Sequence, residues 1–80
     1  MSRYYDVAVY TEDNDMRINE DYSGEVTLSG GMSEEEYAKK LAKEIWGDYE
    51  EFIPLTINMT YLEDLPYESY EFKDKKMYDV

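Results

Sequence analysis

The chain has 80 residues, with 20 Asp and Glu against 8 Lys and Arg, a formal charge of −12, no histidine and no cysteine. This composition excludes a disulfide framework, thiolate metal ligation and histidine acid–base chemistry. Ten tyrosines argue for a folded domain over a solvated acidic chain, because each buried ring removes a large area from water.

Residues 1–80 read as a single domain with a thin core, since a chain of this size buries only about 60% of the surface its unfolded form exposes. No stretch approaches the roughly 18 apolar residues of a membrane-spanning helix. The opening MSRYYDVAVY lacks the apolar run of a signal peptide and starts a strand pattern, so a soluble, cytoplasmic protein is expected.

Residues 3–11 alternate, with Tyr5, Val7 and Val9 on one face and Tyr4, Asp6, Ala8 and Tyr10 on the other. Glu12-Asp13-Asn14-Asp15 carries turn chemistry. Met16 and Ile18 then start a returning strand, which Glu20 to Gly24 interrupts as a bulge or wide turn. Val26 and Leu28 resume it, and Gly30-Gly31 ends it.

Ser33 to Trp46 is the strong helix signal. Ser33 and Glu36 form a capping box, and Met32 and Tyr37 occupy the positions of a hydrophobic staple. Glu34, Glu35 and Glu36 sit at the positive end of the dipole, and Glu35–Lys39 and Glu36–Lys40 are spaced four apart. Gly47 is expected to end the helix in the left-handed C′ conformation. Tyr37, Ala38, Leu41, Ala42, Ile45 and Trp46 form an apolar stripe that must lie on something.

Ile53 to Tyr61 alternates strictly, with Ile53, Leu55, Ile57, Met59 and Tyr61 on one face and Pro54 at the strand's start or on an edge. Tyr67 to Lys73 is a last strand with Tyr70 and Phe72 on one face. The expected fold is α+β: two layers, a four-strand mainly antiparallel sheet in ββαββ order, covered by one helix at 33–46.

The chemical motifs fail in turn. Asp13 and Asp15 begin an EF-hand spacing, but Arg17 and Ile18 stand where a third ligand and a glycine are needed. No Gly-rich phosphate loop or nucleophile elbow occurs, and carboxylate pairs are not diagnostic among so many acids. The expectation is no enzyme, no metal and no cofactor. Direct nucleic-acid binding is opposed by the charge, because phosphate contacts need many Lys and Arg.

The placement of charge is more informative than its total. From Glu44 to Phe72 there are eight acids and no base, and from Tyr4 to Met16 four acids and no base. Tyrosines are interleaved with these acids, and an acidic rim around aromatic anchors steers a basic partner. The candidate partner-binding residues are Asp13, Asp15, Asp48, Tyr49, Glu50, Glu51, Glu63, Asp64, Tyr67, Glu68, Tyr70 and Glu71. Glu68 and Glu71 are expected to bridge the acids after the helix and those after the long strand into one face.

The runs EDND (12–15), GDYEEF (47–52) and LEDLPYESYEF (62–72), in a small acidic chain rich in tyrosine, resemble the DNA-mimicking anti-CRISPR and anti-restriction inhibitors of phages and mobile elements. The resemblance covers the whole chain in character and matches no motif. It implies an inhibitor that works in the host cytoplasm and occupies a nucleic-acid groove on a basic host protein or nucleoprotein complex, such as a CRISPR effector, with carboxylates in place of phosphates. It departs at two lysine groups, Lys39, Lys40 and Lys43, and Lys73, Lys75 and Lys76, which should face away from such a partner. A second reading is a structural or regulatory interaction module, homo-oligomeric through its sheet, whose acidity serves solubility.

Overall fold

The computed structural model describes residues 2–63 and 66–74. β1 (Arg3–Thr11) is the strand on which the others assemble. After it come α1 (Met16–Tyr22), β2 (Gly24–Leu28), α2 (Glu34–Tyr49), β3 (Leu55–Tyr61) and β4 (Tyr67–Phe72). Among the described residues the strands form one sheet in the order β2-β1-β3-β4, with every neighbouring pair antiparallel. β2 and β3 therefore run the same way on either side of β1, and α2 is the crossover between them. The fold is the expected α+β arrangement, with helices packed on one face of an open sheet.

The difference lies between β1 and β2, where a helix replaces the expected returning strand. Asn14 takes a left-handed φ of 56°, and Asp15 caps α1 by accepting from the Arg17 backbone N–H at 3.1 Å. The acidic turn was read with the right local chemistry, but it starts a helix. α1 contributes Ile18 to the core, and it also completes the ladder of β1 where β2 is too short to do so. Val9 N–H donates to Ser23 Oγ at 2.8 Å, and Thr11 N–H donates to Asn19 Oδ1 at 3.1 Å. Buried backbone donors need partners, and two side chains from the α1 segment supply them.

α2 starts as expected. Ser33 Oγ accepts from Glu36 N–H at 3.1 Å, while the Glu36 carboxylate accepts from the Ser33 hydroxyl instead of its backbone N–H. Its C-terminus differs from expectation. The helix runs through Gly47 to Tyr49, and Glu50, at φ 55°, takes the left-handed position. Glu51 N–H bonds Trp46 C=O and Glu50 N–H bonds Gly47 C=O, which is a Schellman closure. Tertiary anchors hold the added turn: Trp46 Nε1 donates to Ile53 C=O at 2.8 Å, and the Trp46 and Phe52 rings lie 5.1 Å apart.

The inner face is the core. Leu41, Ile45 and Trp46 of α2 share one buried cluster with Val7, Val9, Leu55, Ile57, Met59 and Phe72. Ala38 and Ala42 are fully buried, and their small side chains let the helix sit close to the strands. Ile53 and Pro54 precede β3 and are not part of it.

Candidate functional site

The acidic candidates separate according to sheet geometry. At the end where β1 stops and β3 starts, the 12–15 turn meets the C-terminus of α2. Glu12 and Asp13 line one shallow depression with Glu51, Phe52, Ile53 and Pro54. Asp48, Tyr49 and Glu50 belong to the same helix end, and no base lies in its last turn. The structure thus brings together Asp13, Asp15, Asp48, Tyr49, Glu50 and Glu51. Arg17 is nearby, 3.7 Å from Asp15 with its side chain 84% exposed, and Lys73 follows β4 at this end. Lys39, Lys40 and Lys43 are exposed along the body of α2, whereas Lys75 and Lys76 lie outside the described residues.

Asp48 is held in place. Its carboxylate accepts from the Tyr22 hydroxyl at 2.5 Å, and this bond, followed by burial, raises the phenol above its ordinary range. The contact ties α1 to α2 across the helical layer.

β4 does not form a bridge. It runs back beside β3 as expected, but strand alternation puts Glu68 and Tyr70 on the helix side, opposite Met59 and Ile57. Tyr67 and Glu71 fall on the open side, opposite Thr60 and Thr56. Residues 68 and 71 are an odd number apart, so they cannot share a face. Glu63 lies at the far end, where it accepts from the Tyr61 hydroxyl at 2.8 Å. Asp64 is outside the described residues.

A second grouping had not been anticipated. At the end where α2 begins, Tyr5, Tyr61 and Tyr70 line a cleft with Met59, Glu34 and Glu68. The Tyr5 hydroxyl donates to Glu34, and the Arg3 guanidinium lies 3.6 Å from the same carboxylate and 5.9 Å from the Tyr5 ring centre. Burial, then the Glu34 hydrogen bond, push Tyr5 up to about 12, and that bond holds Glu34 below its ordinary value. Tyr70 is raised by burial and by the negative field of Glu68, Glu34 and Glu35. Sequence reasoning placed Glu34 at a helix dipole and Tyr5 in a strand. Only the crossover of α2 places one over the other.

Among the described residues no set of acidic side chains is placed to hold a metal ion. No described helix is long and apolar enough to cross a membrane. No family model matches the chain, and no curated protein or solved structure matches it either.

Proposed function

We propose that the chain is an acidic inhibitor. It binds the basic, nucleic-acid-binding site of a host defence complex, such as a CRISPR effector, and presents carboxylates where phosphates would sit. The observation that carries this reading is Glu50. A non-glycine residue in the left-handed region costs about 1–2 kcal/mol, and a carboxylate at a helix C-terminus opposes the dipole. Glycine would relieve both costs at once. Asp48, Glu51, Glu12 and Asp13 add like charge around it. A site that gives up stability in this way is where function is expected. The acids steer association and Tyr49, which is exposed, supplies a contact that loses water on docking.

The test is competition. A labelled DNA duplex bound to a purified CRISPR effector complex should be displaced by the wild-type chain. Displacement should weaken as salt rises, and it should be lost on reversing Glu50 and Glu51 to lysine. Reversing Lys39 and Lys43 to glutamate should leave it intact. Equal behaviour of the two variants, or no displacement, refutes the reading.

One observation favours the interaction-module reading. The open face of the sheet carries Ala8, Thr56, Asn58 and Thr60, which are half-buried between the exposed rings of Tyr4, Tyr10 and Tyr67, and no described helix covers it. Sedimentation equilibrium separates the two readings, because a dimer closed by this face dissociates on Tyr10→Lys while effector competition is unaffected.

A further inference from the structure

The cleft between the start of α2 and the edge strand β4 has the chemistry of a cation-binding cage. Its floor is Met59, its aromatic walls are Tyr5, Tyr61 and Tyr70, and its carboxylates are Glu34 and Glu68. The Tyr5 and Tyr61 rings lie 5.3 Å apart and tilted by 35°, so their faces do not close against each other in a parallel stack. The cavity measures ≈ 190 Å³, below the range of about 300–1,000 Å³ typical of small-molecule sites. That size suits the end of one side chain.

Three observations select the sign of the occupant. Aromatic faces attract a cation, and here three tyrosine rings line the cleft. Glu68 is exposed, lines the cleft, and its negative charge acts on the Tyr70 phenol there. The protein also displays the chemistry in its own fold, since the Arg3 guanidinium rests over the Tyr5 ring and beside Glu34, donating to Met32 C=O. A guanidinium is planar, stacks on rings and bonds carboxylates with a fork of donors, which a compact ammonium does not.

We infer that this cleft receives the guanidinium of an arginine on the basic partner, with Glu68 as its carboxylate anchor and Tyr61 and Tyr70 as its stacking walls. The inference rests on the basic-partner reading and refines it. The acidic end around Glu50 steers and orients, and the cleft at the opposite end of the sheet supplies a specific contact. Arginine is the cation that fits here because, of the two cationic side chains that line phosphate-binding grooves, only it stacks flat on rings while forking onto a carboxylate.

The test uses a capped Gly-Arg-Gly peptide and its Gly-Lys-Gly counterpart, titrated into the full chain and followed by amide and methyl NMR. The arginine peptide should shift Met59, Tyr61, Glu68 and Tyr70 and bind about fivefold tighter than the lysine peptide. Glu68→Gln, at an exposed strand position that tolerates substitution, should weaken the arginine peptide by about fivefold. Glu50→Gln with Glu51→Gln should not change it. Unaltered affinity in Glu68→Gln, or shifts centred on residues 48–51, overturns the inference. DNA displacement by the wild-type chain is scored separately. If displacement persists while the peptide maps elsewhere, only the cleft is refuted. If the peptide enters the cleft and no displacement occurs, the inhibitor reading is the one that fails.

Discussion

The two faces of the sheet are built from the same strands and do opposite things. On the inner face Val7, Val9, Leu55, Ile57 and Met59 are all 1% exposed or less. Their immediate neighbours in sequence, Ala8, Thr56 and Asn58, stand on the open face among tyrosines and the carboxylates of Asp6, Glu25 and Glu71. Moving one residue along β3 moves a side chain from the fully buried core to the half-buried open face. The hydrophobic core therefore lies on one face, and the other carries half-buried small and polar side chains among exposed rings and carboxylates.

The strongest test sets neighbours against each other. Ile57→Ala should cost about 2–5 kcal/mol, because it leaves a cavity under α2 that the sheet cannot close. Asn58→Thr, one residue away, should lie within about 0.5 kcal/mol of wild type or above it, since Asn58 Oδ1 is buried and has no hydrogen-bond partner among the described residues. Urea denaturation reads both, and equal losses would mean that the open face is covered in solution.

The next effect probes the border of the inner face. Asn19→Ala should cost about 1–3 kcal/mol, because the buried Thr11 N–H is left without an acceptor. A loss no larger than that of a surface substitution would show that α1 does not complete the β1 ladder.

Glu50→Gly should act in the opposite direction. It should stabilise the fold by about 1 kcal/mol, raising Tm by roughly 4–8 °C, while weakening displacement of DNA from the effector. A variant that is less stable would show that the left-handed closure is not strained.

On the open face Asp6 and Glu25 stand directly opposite each other, and like charges in that arrangement repel. Glu25→Lys should stabilise by about 0.2–1 kcal/mol. The wild-type Tm should rise from low salt to about 0.15 M, where the Debye length is about 8 Å, and the variant should rise less. A wild-type Tm that falls with salt would mean that ion pairs such as Glu35–Lys39, at 3.8 Å, outweigh the general repulsion.

The pH response is the smallest effect and is confined to the extremes. Glu34 has a lower pKa folded than unfolded, so its share of stability is present above about 4.5 and lost as pH falls toward the folded value. Tyr5 has a higher pKa folded than unfolded, so its share is present below 10 and lost as pH rises toward about 12. Tyr5→Phe removes the shared hydrogen bond and should flatten both limbs of a stability–pH curve, and unchanged limbs would place the cause elsewhere.

Two residues show where a local reading stops. Asp15 was legible as turn chemistry, and its role as a cap followed by Ile18 and Tyr22, four apart, was a helix signal that the alternation of Met16 and Ile18 masked. Gly47 had every local qualification to end α2, yet Trp46, Phe52 and Ile53 together stabilise one more turn than glycine costs. At Gly47, the packing of Trp46 on the segment that leads into β3 outweighed a propensity worth about 1 kcal/mol.

The candidate site was legible in composition but only partly in position. The base-free runs were legible because they are a property of the chain. Whether Glu68 and Glu71 share a face follows from their odd separation and could have been read from strand period alone. That the 12–15 turn meets residues 48–51 depends on β1 and α2 ending at the same end of the sheet.

The sequence by itself determined the strands β1, β3 and β4, the start of α2 and the α+β class. Period-two alternation and capping are local physical constraints that no partner needs to enforce. Only the tertiary structure decided that α1 completes the ladder of β1, that Glu50 closes α2, and that Tyr5, Glu34 and Glu68 meet around one cleft. The first two join groups within about fourteen residues whose contact depends on how α1 and the end of α2 pack, and the third exists only once the α2 crossover has set Glu34 over the sheet.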